Sequence, residues 1–172
     1  QKFMYAFVFI YEKDNPDVVV FSDIFQLMGR GNGKDGMLIP LALFLTTPMY
    51  GVKNYHIDIV ATSEEQAINT FNVAYNMLEE NEEIMKRMFY WTKTEIVNIK
   101  TTSKMRYNTS SAKTKDGNQS GMVIFNELHA YEDHKQIDVY TSGLGKVRHA
   151  RVWTITTNGH FREGPFDKKV DA

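Results

Sequence analysis

A glycine-rich segment constrains this chain more than any other feature of its sequence. It reads GRGNGK over residues 29–34, follows a short apolar run at 24–28, and precedes apolar residues at helical spacing over 34–45. Glycines let successive backbone amides turn toward one anion, and the start of a helix adds unpaired amides and its dipole. A strand, a glycine loop and a helix in this order predict a phosphate-binding loop.

Within this loop, Lys34 is expected to supply a point charge for the β and γ phosphates of a nucleotide. The usual pattern is Gly, four residues, Gly-Lys and then Ser or Thr. Here Gly33-Lys34 fits, but Met28 stands at the earlier glycine and Asp35 at the hydroxyl position. A glycine-rich turn without a ligand is the alternative that the loop alone leaves open. The residues expected to bind the nucleotide here are Gly29, Arg30, Gly31, Asn32, Gly33, Lys34 and Asp35.

A second segment predicts the other half of such a site. Residues 122–125 read MVIF, a fully apolar run typical of a central parallel strand, and Asn126 and Glu127 follow at its carboxyl end. Asn126 is expected to help hold Mg²⁺, and Glu127 to orient and deprotonate the attacking water. The alternative is a strand that ends in a solvated Asn-Glu turn.

The rest of the chain alternates between strand and helix patterns, which predicts a mainly parallel sheet with helices packed on it. Ser63 and Gln66 have the spacing of a helix capping box, and Pro40 is expected to kink the helix over 34–45. A loop is predicted over 110–120. Strands are predicted over 24–28, 55–61, 95–99, 104–108, 122–125 and 150–157. Helices are predicted over 34–45, after Ser63 with Ala67, Phe71, Ala74 and Leu78 buried, over 81–90 and over 130–144.

Composition excludes several classes of protein. A chain of 172 residues with 42% hydrophobic residues suits one domain with a real core. It has no cysteine, which excludes disulfides and thiolate metal sites, and its five histidines show no metal-binding spacing, so we interpret them as structural or solvated. The net charge of -1 means that any DNA contact must be local. No stretch approaches the ~20 apolar residues of a membrane-spanning helix, and no signal peptide is predicted.

Taken together, these segments resemble the large terminase subunits of tailed bacteriophages. The segment 29–34 resembles their Walker A loop, which carries an arginine at the place of Arg30. The segment 122–133, MVIFNELHAYED, resembles their Walker B strand and its continuation. Three further segments are similar to the family in the same order: ATSEEQA at 61–67, AKTKDG at 112–117 and the coupling motif ITTNG at 155–159.

The resemblance implies an α/β P-loop NTPase fold. We expect a three-layer domain with a mainly parallel central sheet and an additional catalytic-glutamate strand between the P-loop strand and its neighbour. It also implies an ATPase that uses ATP and Mg²⁺ to package double-stranded DNA into a procapsid. Its expected partners are further copies of itself in a ring, the portal protein and the small terminase subunit, in the host cytoplasm and without a membrane. Residues 1–172 are expected to be the ATPase domain of a longer protein, without the family's nuclease domain and therefore without DNA cleavage.

The resemblance also assigns roles to individual residues. Glu127 and Arg30 are the expected catalytic residues. Arg30 is included because its planar guanidinium can bridge phosphate oxygens. Whether Arg30 acts in cis stays open, as does a purely structural role. The end of the strand over 150–157 is expected to sense the γ phosphate and relay its loss. The residues expected to do so are Thr156, Thr157 and Asn158.

Two departures from the family pattern belong together. Asp35 replaces a hydroxyl that normally ligates Mg²⁺, and Asn126 replaces an aspartate. We hypothesise that the carboxylate of the metal site is supplied by Asp35 instead of by position 126, and that both residues hold the metal. An anion there costs about 4 kcal/mol against each phosphate charge at ~4 Å and an effective dielectric of ~20. One alternative is a nucleotide-binding regulatory module with impaired hydrolysis. Another is a different P-loop DNA translocase or helicase-like ATPase.

Overall fold

The computed structural model describes residues 2–109, 119–159 and 164–171. Most of the predicted loop over 110–120, the segment 112–117 and His160 lie outside the described residues. The helices are α1 (Lys2–Val8), α2 (Lys34–Leu45), α3 (Glu64–Glu80), α4 (Glu82–Met85), α5 (Lys135–Thr141) and α6 (Pro165–Asp171), with a 3₁₀ turn at Leu128–Ala130. The strands are β1 (Asp23–Leu27), β2 (His56–Ala61), β3 (Phe89–Trp91), β4 (Glu95–Asn98), β5 (Lys104–Thr109), β6 (Ser120–Asn126) and β7 (Arg151–Thr156).

Within the described ranges, seven strands form one sheet in the order β1-β7-β6-β2-β5-β4-β3. The pairs from β1 to β5 are parallel, and β4 and β3 continue the sheet in antiparallel pairing, which confirms the mainly parallel sheet. A strand does lie beside the P-loop strand, namely β7 between β1 and β6. The predicted catalytic glutamate does not belong to it, because Glu127 follows β6. The carboxyl ends of parallel strands meet at one edge of a sheet, so the segments after β1, β6 and β7 are neighbours there.

Apolar residues cover both faces of the sheet and explain the three layers. Along β6, Met122 and Ile124 belong to a core that includes α2 and α3, whereas Val123 and Phe125 belong to a second core that includes α5 and α6. This alternation follows from the period of two in a strand. Among the described helices, none combines the length and the apolar character needed to cross a bilayer.

The two predicted helices that flank the glycine loop site are confirmed. Helix α2 spans Lys34–Leu45, the predicted bounds, and is buried on most sides. Pro40 lies inside it, and the kink expected there stays a prediction. Helix α3 buries its predicted apolar face completely. Its first turn is capped by Ser63, whose side chain accepts a hydrogen bond from the Gln66 amide at 3.3 Å. Burial of each large aliphatic side chain stabilises this layer by roughly 2 kcal/mol.

Two predicted helices are too long. Over 81–90, the helix ends at Met85, and Phe89 instead pairs with Asn98 in strand β3, where its ring is buried. Short apolar runs fit either element, and here strand pairing decides. Over 130–144, only 135–141 is α-helical, because Tyr131 leaves the 3₁₀ turn in an extended conformation and is buried, with its hydroxyl donating to the Val60 carbonyl at 3.0 Å.

Other boundaries agree more closely with the sequence. The remaining predicted strands match within two residues at each end. Strand β3 and helices α1 and α6 were not predicted. Helix α6 begins at Pro165, a favoured first helical residue because its missing amide has no intrahelical partner in any case, and it is anchored by the buried ring of Phe166.

Candidate functional site

The glycine loop joins β1 to α2 at the carboxyl edge of the sheet. Gly31 and Gly33 have φ angles of 76° and 69°, a left-handed conformation that glycine adopts without strain. Gly33 is the N-cap of α2 and provides no side-chain cap, so the N-cap residue leaves the first amides of the helix available to a ligand. A loop of this kind that runs into a helix of 12 residues favours an anion at the helix start.

Lys34 and Glu127 meet at this edge although they are 93 positions apart in sequence. The Lys34 Nζ atom donates to Glu127 Oε1 at 2.5 Å, and both side chains are about five-sixths buried (15% and 16% exposed). They lie in a pocket of 400 Å³, which is large enough for a nucleotide phosphate tail. The pocket's far wall is formed by the side of α3 that carries Gln66, Asn69 and Thr70.

Glu127 is held at both carboxylate oxygens. Its Oε2 atom lies 3.1 Å from His129 Nδ1 and accepts a hydrogen bond from the Thr157 hydroxyl at 3.3 Å. Its backbone is left-handed, with φ 54°, and its amide donates to the Ile155 carbonyl at 2.8 Å. Such a conformation costs a non-glycine residue about 1–3 kcal/mol and persists where neighbouring contacts impose it, as they do here.

The end of β7 contacts this carboxylate from the side opposite Lys34. Thr156 and Thr157 are buried, and the Thr156 hydroxyl accepts from the His129 amide at 3.1 Å. Asn158, the third residue of the predicted sensor, is exposed, and none of the three sensor residues lines the pocket itself. The structure therefore brings two of the three predicted sensor residues to Glu127 and His129.

Asp35 and Asn126 face each other across the hydroxyl of Thr70. The Thr70 hydroxyl donates to Asp35 Oδ1 at 2.9 Å and accepts from Asn126 Nδ2 at 2.6 Å. Asn126 is 5% exposed, and its Oδ1 atom is buried without a hydrogen-bond partner among the described residues. The other Asp35 oxygen, Oδ2, lies 3.9 Å from Lys34 Nζ.

This oxygen-rich wall suits a hard divalent cation. Carboxylate and amide oxygens are the ligands that Mg²⁺ prefers, and in nucleotide sites one or two protein oxygens suffice beside waters and phosphates. In the described part of the chain, no group of three or more His, Asp or Glu side chains could hold a metal by itself. An orphaned oxygen on Asn126 beside a carboxylate on Asp35 fits the limited protein share of such a site.

The remaining predicted loop residues lie at the mouth of the pocket. Arg30 and Gly31 line it, and Arg30 is exposed, as are Gly29 and Asn32. The Asn32 amide donates to the Gly29 carbonyl at 3.4 Å, which closes the first turn of the loop. An exposed arginine at the rim is free of burial constraints and can approach a ligand in the pocket.

The family model described as "Terminase large subunit, ATPase domain" matches residues 1–172. The chain belongs to this family. Its membership confirms the resemblance found in the sequence and indicates ATPase activity for a terminase ATPase domain of this kind. It supports neither of the alternative functions.

Two curated relatives of this terminase ATPase domain are the terminase large subunits of Lactococcus phage p2 and Lactococcus phage SK1. Each is 27% identical over 162 residues, which cover 90% of this chain. The matched region is only 29% of the length of each relative. The comparison therefore concerns one part of a longer protein in both relatives.

Solved terminase structures share the fold. The large terminase of HK97 bacteriophage matches with a TM-score of 0.81 at 21% identity, over 99% of this chain and 36% of that one. The Thermus phage P74-26 large terminase ATPase domain matches with a TM-score of 0.58 at 14% identity, over 85% of this chain and 61% of that one. These matches confirm the P-loop α/β architecture of the terminase ATPase domain.

Two residues of the site were missed in the sequence of this terminase ATPase domain. His129 was interpreted as structural or solvated, yet it contacts Glu127, and its place two residues after that glutamate was the available signal. Thr70 was given no role. Its signal was a polar residue on the otherwise apolar face of α3, next to Phe71 and three residues after Ala67.

Proposed function

We propose that this chain hydrolyses Mg²⁺-ATP to drive double-stranded DNA into a viral procapsid. Membership of the terminase ATPase family supports this function. The observation that carries it is the meeting of Lys34 and Glu127 in one pocket, beside a loop whose glycines and helix start favour an anion. An ammonium group and a carboxylate thus flank the place where the triphosphate would bind.

The loop and Lys34 bind the phosphates in this proposal. The amides of residues 31–35 provide donors, and the ammonium of Lys34 has three, so it can keep its bond to Glu127 while it contacts a phosphate oxygen. Arg30 reaches the γ phosphate from the rim and adds a planar fork of donors. An arginine that stabilises the transferred phosphate contributes several powers of ten in rate.

Asp35, at the start of α2, and Asn126, at the end of β6, would hold the divalent cation. Mg²⁺ would screen the phosphate charge and polarise the phosphoryl oxygens. The carboxylate of Asp35 provides the charge that Asn126 lacks, and the buried Oδ1 atom of Asn126 provides a second oxygen. This exchange of roles preserves one carboxylate in the metal half of the site.

Glu127 accepts the proton of the attacking water. Its Oε2 atom is already held by His129 and Thr157, which fixes the direction of the carboxylate without a further rearrangement. Thr157 contacts Glu127 and directly follows β7. A movement of Glu127 after hydrolysis would therefore be transmitted directly to that strand. The proposed relay from the phosphate to the parts of the motor that bind DNA consists of Thr156, Thr157 and the adjoining Asn158.

The wider assembly follows from the same family. The chain spans 29% of the length of its curated relatives, which supports residues 1–172 as an ATPase domain of a longer protein. In that protein the domain works in a ring of copies, with the portal protein and the small terminase subunit, in the host cytoplasm. DNA cleavage is assigned to another part of the protein.

Nucleotide binding and turnover with and without double-stranded DNA test this function. The unaltered chain should bind ATP and hydrolyse it faster with DNA, whereas Lys34→Ala should lose binding. Lys135→Ala is the matched control, because Lys135 is a 90% exposed lysine that forms an ion pair with Asp133 on the surface. Equal turnover in the unaltered chain and Lys34→Ala would refute the proposal. ATP binding without turnover above Glu127→Gln would favour the regulatory module instead.

A further inference from the structure

Thr70 connects the two halves of the metal site. It lies on α3, 35 positions after Asp35 and 56 before Asn126, and its side chain is almost fully buried at 2% exposure. One hydroxyl contacts both residues, at 2.9 Å and 2.6 Å. The Thr70 hydroxyl by itself accounts for this contact between α3 and the two residues.

The donors and acceptors at this hydroxyl determine the orientation of the Asn126 amide. A hydroxyl carries a single proton, and the Asp35 carboxylate can only accept. The proton of Thr70 therefore goes to Asp35, and Thr70 must accept from the NH₂ group of Asn126. The amide oxygen of Asn126 is left on the other side, buried and without a partner among the described residues. Such an orphaned acceptor is costly unless a ligand satisfies it.

We propose that Thr70 is the positioning residue of the magnesium site: its hydroxyl orients the Asp35 carboxylate and turns the Asn126 oxygen toward the cation. This inference rests on the proposed metal-binding role of Asp35 and Asn126. Thr70 itself acts through these two ligands. In the usual loop, the residue after the lysine provides the hydroxyl of the metal half. Here Asp35 occupies that position, and α3 provides the hydroxyl.

The test measures how strongly Mg²⁺ tightens the binding of a fluorescent, non-hydrolysable ATP analogue. Affinity is determined in excess EDTA and again in Mg²⁺, for the unaltered chain, Thr70→Val and Thr70→Ser. Loss of an outer-shell partner typically lowers metal affinity by about 10–100-fold. Thr70→Val should therefore reduce the Mg²⁺-dependent tightening by about tenfold or more, with affinity in EDTA unchanged. Thr70→Ser keeps the hydroxyl and should keep the tightening.

Thr46→Val is the matched control. Thr46 is equally buried, at 1% exposure, and lies at the far end of the P-loop helix, where its hydroxyl donates to the Leu43 carbonyl. It should leave the Mg²⁺-dependent tightening intact. Thermal unfolding checks that each variant is folded, and Thr70→Ala repeats the measurement if Thr70→Val does not fold.

Three results would overturn the role of Thr70: full tightening in Thr70→Val, an equal loss of affinity in EDTA, or the same loss in Thr46→Val. A second arm uses Asp35→Ala, in which Thr70→Val should add little because one of the two residues it positions is gone. Failure of the proposed function looks different. In that case the unaltered chain binds the analogue under neither condition.

Discussion

Two carboxylate clusters in this protein differ in what they leave unsatisfied. Asp58 on β2 is fully buried and accepts from Arg106 Nε at 2.8 Å, from Asn108 Nδ2 at 2.7 Å and from the Ser120 hydroxyl. We call Asp58, Arg106, Asn108 and Ser120 the Asp58 cluster. In the nucleotide pocket, Asp35 is 29% exposed, and the neighbouring Asn126 keeps an oxygen without a partner among the described residues.

The difference shows how a structural carboxylate can be told from a functional one. Both clusters contain a carboxylate, a cation and a hydroxyl, so residue types alone do not separate them. The Asp58 cluster satisfies its carboxylate with donors from the protein and closes it off from solvent. The pocket holds 400 Å³ of space and an unmatched acceptor. Spare hydrogen-bond capacity beside open space is the sign of a ligand.

The largest expected effect is a loss of ATP turnover, with little change in stability, when Glu127 in the pocket is replaced. Glu127→Gln should lower ATP turnover by about 10²–10⁴-fold, the usual contribution of a general base. The free energy of unfolding should change by less than about 1 kcal/mol, because the amide oxygen can still accept from Lys34. Steady-state turnover and denaturant unfolding measure the two quantities. Glu132→Gln, at an exposed glutamate nearby, should change neither, and comparable turnover in both variants would contradict the assignment.

The Asp58 cluster should respond in the opposite way. Asp58→Ala removes the acceptor of three buried or half-buried donors and should lower the unfolding free energy by about 3 kcal/mol. This value is at the lower end for a broken buried ion pair, because Arg106 is partly exposed. Nucleotide affinity should stay unchanged in the folded fraction. Asp35→Ala is the matched comparison, with a small cost in stability and a large cost in Mg²⁺-dependent binding. A stability loss in Asp35→Ala equal to that in Asp58→Ala would erase the distinction.

An exchange of residues within the pocket sharpens the comparison further. Asp35→Thr replaces the carboxylate that accepts from Thr70 with a neutral hydroxyl, and Asn126→Asp sets two carboxylates against one hydroxyl proton. Each alone should weaken Mg²⁺-ATP binding about tenfold, whereas the double variant restores the usual hydroxyl and carboxylate positions. The two effects should be non-additive by about 0.5–3 kcal/mol. Mg²⁺-ATP affinities of the four proteins test this, and simple additivity would count against the exchanged roles.

The smallest effect concerns Tyr140 on α5, beside the Asp58 cluster. The pKa of Tyr140 is raised to about 12, first by burial and then by the nearby Asp58 charge, while Arg106 opposes the shift. The folded protein thus keeps this proton between pH 10 and pH 12 while the unfolded chain loses it, so stability falls as the pH rises through this window. Tyr140→Phe removes that loss, together with a buried hydroxyl that has no hydrogen-bond partner among the described residues. Its alkaline unfolding midpoint should move to higher pH, and an unchanged midpoint would contradict the argument.

Local sequence patterns predicted much of the fold and of the site. The strand, glycine loop and helix around Lys34, and the apolar strand before Glu127, required only periodicity and turn chemistry. Helix ends were less predictable: Tyr131 leaves its helix pattern because a distant carbonyl, that of Val60, accepts its hydroxyl. The antiparallel strand at Phe89 depends likewise on a pairing partner that local propensity does not reveal.

By itself, the sequence determined the architecture and the two ends of the candidate site, because apolar periodicity and glycine placement act between neighbouring residues. Only the tertiary structure decided how the side chains of the proposed metal half contact one another. Thr70 lies 35 and 56 positions from the two residues that it joins. Its hydroxyl donates its one proton to Asp35 and accepts a hydrogen bond from Asn126. A hydroxyl becomes a positioning group when packing brings an acceptor and a donor within about 3 Å of it, and packing is a property of the whole folded chain.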